Sequence, residues 1–373
     1  MTQRHAEIVG AGFAGLTAAC ALAQRGWRVR VHERGDRLRT TGAGIYVYEN
    51  GLRVLEAVGA YEAAVANAPM AHTREVRDDR NRVISVHRWK GSRVFSIVRQ
   101  NIINALAVAA TKAGVEIVTG SAATAATAAG ELALANGQRL RPDLIVGADG
   151  SGSCVRDSLG LIVKRKFLVD GCTRLLMDKT AEERQSADGA KTIEYWSGTR
   201  RVLYTPCSGA DIYVALTMLD RDEAGKSVPV HKDSWKRAFP HLETLIDRIG
   251  EQGRYDRFEL IKLRRWSAGR VAIIGDAAHA LPPNIGQGGG CAMMNALSLS
   301  VHLDREPDVV AGLETWERNE RPITDHTQRI SVLLGLPTTW PPRLRAITLA
   351  LAGRSKWLTR QRTRTALHRP TGT

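Results

Sequence analysis

Four groups of residues in this chain of 373 have types and spacing that suit chemistry. The first is Gly10-Ala11-Gly12-Phe13-Ala14-Gly15, followed 23 positions after Gly10 by Glu33 and then Arg34. Glycines spaced in this way allow a tight turn, backbone approach to a pyrophosphate and close helix–strand packing, and an acid at the end of the next strand accepts hydrogen bonds from ribose. The second is Gly275-Asp276-Ala277-Ala278-His279, which leads through Pro282 and Pro283 to Gly286, Gly288, Gly289 and Gly290. A helix opened by glycines presents free N–H groups and a positive dipole end to an anionic or electron-rich ligand, and Asp276 is placed to accept from a sugar hydroxyl. The third, Asp149-Gly150, reads by itself as a turn. The fourth is dispersed: Arg201 has the planar donor pair that grips a carboxylate, and Tyr46 and Tyr213 can orient a phenolic or pyridinol oxygen.

These groups need a scaffold, and the patterns around them supply one. Residues 6–9 read as a strand, 16–23 as a helix with Leu16, Ala19, Cys20 and Ala23 on one face, and 27–33 as an alternating strand ending in Glu33, which together make a βαβ unit. Residues 271–274 read as a buried strand that enters the second glycine loop, and a helix follows. Asn136-Gly137 between alternating residues marks a hairpin with a type I′ turn, after which a strand at 144–146 returns the chain to Asp149. Strand-like runs at 192–196, 201–205 and 212–218 form a sheet carrying Arg201 and Tyr213, and residues 233–239, ended by Pro240, form a short amphipathic cover helix. The expected fold class is α/β (α+β), a Rossmann-like nucleotide-binding domain interleaved with a β-sheet substrate domain. The expected boundaries are 1–68, 99–165 and 266–330 for the first and 69–98 and 166–265 for the second, with a basic C-terminal segment at 331–373.

Hydrophobic content of 43% supports a packed globular protein of more than one domain. No apolar run approaches the roughly 18 residues of a membrane span and no signal-peptide layout opens the chain, so a cytoplasmic protein without stable membrane insertion is expected. The five cysteines are scattered without a Cys-x-x-Cys pair, which points to reduced thiols and no metal site. A net charge of +15 raises the question of nucleic acid, but nine Arg or Lys residues and no acid follow Asp325, so the tail supplies more than half of the excess. With no nucleic-acid-binding motif beside it, the expected partner is an anionic small molecule or dinucleotide, and the tail is expected to be peripheral to turnover.

Taken together, the glycine loop at 10–15, Gly147-Ala148-Asp149-Gly150 and the motif at 275–279 stand in the order found in flavoprotein aromatic hydroxylases. Over residues 6–330 the chain resembles that family of single-component, FAD-dependent monooxygenases. The resemblance implies FAD held by the motifs at 10–15 and 275–290, with Asp149 serving both the flavin and a passing NAD(P)H that has no glycine fingerprint of its own. It matches Arg99 to the family's arginine beside the flavin phosphates and makes His279 a structural residue. It also implies reduction of FAD by NAD(P)H, addition of O2 as a flavin C4a-hydroperoxide, and oxygen transfer to an electron-rich ring. A narrower resemblance, to oxygenases of hydroxypyridine carboxylates, rests on Gly42-Ala43-Gly44-Ile45-Tyr46 and on residues 50–56, 202–207 and 290–299. By position it places Tyr46, Arg201 and Tyr213 in the substrate pocket, and it implies a small anionic aromatic substrate, hydroxylated or ring-opened, in a monomer or homodimer. The sequence departs at Ala71-His72-Thr73-Arg74, where such oxygenases have a further pocket tyrosine, and it is shorter between Trp196 and Arg201. The alternative is a flavoprotein of related fold, a reductase, epoxidase or halogenase, acting on a larger or uncharged substrate.

Overall fold

The computed structural model describes residues 3–38, 43–89 and 91–373, so Gly42 of the motif above lies outside the described residues. Runs of Val, Ile and Ala build a sheet that is parallel except at the edge strand Ser267–Ala268. Its six strands stand in the order Ser267–Ala268 (β17), Val271–Ile273 (β18), Leu144–Gly147 (β11), His5–Val9 (β1), Arg28–His32 (β2) and Glu116–Val118 (β7). β1 pairs in parallel with β2 on one side and with β11 on the other. The chain thus reverses its direction of travel across the sheet at β1, which opens a crevice at the carboxyl ends of these strands. Helix α1 (Phe13–Ala23) leaves that end and packs against β2, α4 (Arg99–Lys112) and α11 (Gly288–Arg305). Ten of its eleven residues are buried, so α1 is enclosed all round and not only on the face of Leu16, Ala19, Cys20 and Ala23.

The second sheet has seven strands in the order Tyr255–Leu263 (β16), Ile162–Asp178 (β12), Asp211–Leu219 (β15), Arg200–Pro206 (β14), Thr192–Ser197 (β13), Thr73–Asp78 (β4) and Val83–Arg88 (β5). All neighbours are antiparallel except β13 and β4. Strand alternation gives this sheet two different faces. Val202, Tyr204, Ile212, Val214 and Leu216 form one core with Trp235 and Phe239 at the helix α8 (Lys232–Ala238) and with Leu245 and Ile246 of α9 (Glu243–Asp247). Arg200 fastens this cover, reaching Asp222 at 2.6 and 2.8 Å and the Ser234 carbonyl at 2.7 Å. The residues between them in sequence, Arg201, Leu203, Thr205, Tyr213, Ala215 and Thr217, share the other face by register. A ribbon of Gly44–Tyr48 (β3) and Val94–Val98 (β6) lies against that face through Tyr46.

Smaller elements complete the chain. Ala123–Ala126 (β8), Leu132–Leu134 (β9) and Arg139–Leu140 (β10) form a three-stranded sheet. The β9–β10 hairpin is there, but its turn is not type I′: Asn136 does not take a positive φ, and Gly137 alone does, at 88°. Gly137 N donates to Leu134 O at 3.0 Å and Leu134 N to Gln138 O at 2.9 Å, a type I turn with a glycine bulge, so only the residue without a Cβ enters the left-handed region. Short helices occupy Glu49–Ala57 (α2), Tyr61–Val65 (α3), Cys154–Ser158 (α5), Ala181–Gln185 (α6), Glu223–Lys226 (α7) and Asp276–His279 (α10), and the long α12 (Val309–Gly335) packs on α11. The basic tail forms α13 (Pro342–Arg354) and α14 (Lys356–Thr363) and packs on the body. Thr365 Oγ1 meets Thr327 Oγ1 at 2.7 Å, Ala366 O accepts from Asn50 N at 3.1 Å, and Thr371 Oγ1 donates to Glu320 Oε1 at 2.7 Å. Among the described residues no helix is long and apolar enough to cross a membrane.

His279 is 2% exposed, its ring 5.3 Å from that of Trp266 and its Nε2 2.9 Å from Asn295 Nδ2. Burial pushes its imidazole down to about 4. The unfolded chain takes up this proton near pH 6.5, so stability is complete above that pH and is lost as pH falls toward 4, by about 2 kcal/mol between pH 7 and 5. His279→Gln should therefore shrink the loss of Tm between pH 7 and 5, and an unchanged pH slope would assign the loss to other groups.

Candidate active site

The three motifs meet at the carboxyl end of the parallel sheet through backbone contacts. A Cβ on Gly15 would sit 1.9 Å from Gly10 O, and one on Gly10, where φ is 100°, would sit 2.5 Å from Ala148 O. A Cβ on Gly275 would lie 2.9 Å from that of Ala14. Ile274 N donates to Gly147 O at 2.9 Å, and the fully buried Arg156 sends Nη1 to Ala277 O at 3.2 Å, which ties the second motif to the third. At Gly12 and Gly288 an added Cβ would meet nothing within 4 Å. Those two positions open a cradle at the starts of α1 and α11, the donor set a pyrophosphate and a flavin ring require.

The other expected cofactor residues lie around this cradle in different ways. Glu33 Oε2 accepts from Ala11 N at 3.0 Å and Oε1 from Gly35 N at 3.1 Å, which fixes the carboxylate beside the first loop, with Arg34 exposed next to it. Arg99 heads α4 with its guanidinium 4.7 Å over the Phe13 ring. Asp276 is exposed at the start of α10. Gly286 adopts φ 64° against the Tyr48 ring, Gly289 packs on Ile45 and Phe13, and Gly290 lies against Gln287 and Asn50. Asp149 turns inward: Oδ2 accepts from Cys154 N at 2.8 Å, and Oδ1 is buried without a partner.

Tyr46, Arg201 and Tyr213 share the polar face of the seven-stranded sheet, with Tyr46 on Thr205 beside Tyr213, the Tyr213 phenol facing Arg174, and Arg201 four register positions along the strand pair. The Tyr46 hydroxyl bonds Thr192 Oγ1 at 3.2 Å and also Thr205 Oγ1. Gly44 lets the ribbon close on Tyr213, since a Cβ there would lie 2.7 Å from Tyr213 Cβ. Burial pushes both phenols up, so both stay protonated and can donate to a ring oxygen. Arg201 is not at the surface. It is 8% exposed, with Nη2 3.1 Å from Asp170 Oδ2, Nη1 3.6 Å from Glu194 Oε1, and its guanidinium 4.9 Å over the Trp196 ring.

Residues the sequence did not single out complete this cluster. Arg74, at the end of the segment 71–74 where the resembling oxygenases have a further pocket tyrosine, pairs with Glu194. Burial pushes the Glu194 carboxyl up, but Arg74 and Arg201 outweigh it and hold it below the usual range. Asp170 is raised by burial, only partly offset by Arg201. From the tail, Arg345 lies 4.8 Å over the same Trp196 ring, and Arg362 is within electrostatic reach of Arg74, Tyr48 and Glu194. Burial and then Arg74 push the Arg362 guanidinium down to about 10. Below the cluster α12 pins the proline loop, with Gln328 Nε2 on Ala280 O at 3.0 Å and Asn284 Nδ2 on Ser331 O at 2.9 Å. These residues come from separate segments, and the one signal that could have found the tail arginines is the absence of acids after Asp325.

The cradle makes a contrast that can be measured. Gly12→Val meets open space, so it should leave the Tm of the flavin-free protein near wild type while lowering retained flavin at least tenfold, on the order of a lost charged contact. Gly15→Val places an atom on a carbonyl oxygen and should yield little folded protein. Equal flavin content in wild type and Gly12→Val would remove the loop from the cofactor site.

Comparison with known proteins gives the same answer from another direction. The family described as FAD binding domain matches residues 4–327. A 2-heptyl-3-hydroxy-4(1H)-quinolone synthase of Mycobacteroides abscessus is 42% identical over 361 residues, covering 95% of this chain and 96% of the relative. An FAD-dependent urate hydroxylase of Mycolicibacterium vanbaalenii is 30% identical over 337 residues, 84% of each chain. Among solved structures, the tetrameric form of 2-methyl-3-hydroxypyridine-5-carboxylic acid oxygenase superposes with a TM-score of 0.88 at 38% identity, over 98% of this chain and 96% of that one. The match over most of the chain and the three-motif cradle together show that this protein belongs to the FAD-binding-domain family and is an FAD-dependent aromatic monooxygenase.

Proposed function

We propose that this monooxygenase uses NAD(P)H and O2 to hydroxylate, or to hydroxylate and open, the ring of a hydroxylated pyridine- or benzene-carboxylate. The observation that carries this reading is the charge of the polar sheet face, where among the described residues Arg74, Arg201, Arg345 and Arg362 stand against Asp170, Glu194 and, within reach of Arg345, Asp79. Buried charge without a partner is costly, and an anionic substrate completes the balance. The domains are read as 1–68, 99–165 and 266–330 for the cofactor, and 69–98 and 166–265 for the substrate, with 331–373 closing onto both.

FAD, when bound, supplies the activation of oxygen, and the chain supplies position, charge and shelter from water. The loop at 10–15 and the start of α11 at Gly286 to Gly290 would hold its phosphates and ring, Glu33, Arg34 and Asp276 its sugar hydroxyls, Arg99 its phosphates, and Asp149 the loop between them. Arg201, held by Asp170 and Glu194, orients the substrate carboxylate. Tyr46 and Tyr213, as protonated donors, favour the ionised ring oxygen that makes the carbon to be attacked electron-rich. A second reading, an uncharged alkylquinolone, is favoured by the 42% identity to a quinolone synthase.

NAD(P)H consumption with a panel of hydroxypyridine- and hydroxybenzene-carboxylates, their decarboxylated counterparts and alkylquinolones separates the two. Acids should accelerate oxidation and yield products heavier by one oxygen atom, or by one oxygen atom and one water where the ring opens by hydrolysis. Arg201→Lys keeps the charge but loses the planar grip, so it should raise the apparent KM by about 10–100-fold and divert oxygen to H2O2. Stimulation by alkylquinolones alone, with no effect of Arg201→Lys, would transfer the assignment to the second reading.

A further inference from the structure

Arg345 is a cation of the cluster to which the reading above gives no task. It sits on α13, is 4% exposed, and has no side-chain hydrogen bond or close ion pair among the described residues, Asp79 being the acid within electrostatic reach. Its guanidinium carbon is 4.8 Å from the centroid of the Trp196 ring, and that of Arg201 is 4.9 Å from the same centroid. Arg345 Nη1, Arg201 Nε and Trp196 Nε1 are all buried and all lack an acceptor. Native proteins rarely leave such donors unmet, and here three belong to side chains in contact around one ring. Asp170 already takes Arg201 Nη2, so the free Nε is the atom left for a ligand.

The geometry points to a bound anion: we infer that Arg345 and Arg201, flanking Trp196, form a two-arginine clamp for the substrate carboxylate, so that a helix of the C-terminal tail supplies half of the specificity site. The inference rests on the reading of the substrate as a ring carboxylate. Asp170 and Glu194 stand beside Arg201 and would repel a doubly charged phosphate, which favours a singly charged group. Arg201 selects the position of that group from the sheet, and Arg345 closes on it from the tail. The clamp also accounts for two like charges kept close to one ring, because a shared anion offsets their repulsion.

The test uses the full-length, FAD-loaded protein with 5-hydroxynicotinate and its neutral amide as probes, and reads Kd from the change in flavin absorbance. Wild type should bind the acid at least about tenfold more tightly than the amide. Arg345→Met should weaken the acid about 10–100-fold and the amide less than about threefold, and Arg345→Lys should recover part of the loss. Arg345→Met combined with Arg201→Met should lose less than the sum of the two, as expected of residues sharing one ligand. An unchanged acid-to-amide ratio in Arg345→Met, at wild-type flavin content and Tm, overturns the clamp, while a loss in Arg201→Met alone leaves the carboxylate reading standing. Equal binding of acid and amide by wild type overturns both. If Arg345→Met disturbs α13, Trp196→Phe keeps the ring and removes its donor: a fall of a few fold in the acid-to-amide ratio supports the clamp, and no change overturns it.

Discussion

The oxygen of Gly10 occupies the place where the first side-chain atom of any other residue at position 15 would have to go. That contact brings α1 down onto the end of β1, and the matching approach of Gly10 to Ala148 brings β11 to the same point. Gly275 against Ala14 adds the third segment. The cofactor crevice is therefore bounded by main chain on three sides, and main chain enclosed by a buried helix and a parallel sheet has little freedom to move away. Its N–H groups are set in place before any ligand arrives, which is the condition for electrostatic preorganisation.

The substrate half works by a different division. One sheet supplies two environments by alternation alone: Val202, Tyr204 and Val214 build a core with Trp235 and Phe239, while Arg201, Thr205 and Tyr213 face the ribbon and the tail. The adjacent arginines illustrate it. Arg200 holds the cover helix to the sheet through Asp222, and Arg201, one residue on, is held among acids, an indole ring and a second guanidinium. The rigid core on one face fixes the strands, so the polar face can carry charges in stated positions at low entropic cost.

The cradle was legible in the sequence because each of its parts is local. A glycine spacing, an acid at a strand end and an apolar run before a turn are contained within a few tens of residues, and the parallel strands and the hairpin followed from the same signals. The turn type failed because Asn-Gly fits two loops, and the structure takes the one that needs a positive φ only at Gly137. The full enclosure of α1 was not legible, because alanines and a cysteine tolerate burial on every face and their spacing says little about what covers them. Arg74, Asp170, Glu194, Arg345 and Arg362 were illegible for a stronger reason. They come from β4, β12, β13, α13 and α14, and an arginine that will be buried looks the same in sequence as one that will meet water.

The tail has a consequence for the order in which the protein is made. Thr365, Ala366 and Thr371 help tether it to α2 and α12, together with Gln361, whose carbonyl meets His326 Nε2 at 3.1 Å. Domains fold as units during synthesis, beginning from the N-terminal side. On the ribosome the segments of the nucleotide cradle emerge before α13 and α14, so the cation cluster lacks Arg345 and Arg362 until those helices too have left the exit tunnel. A nascent chain at that stage has its three glycine motifs in place without the full set of buried arginines on the polar sheet face.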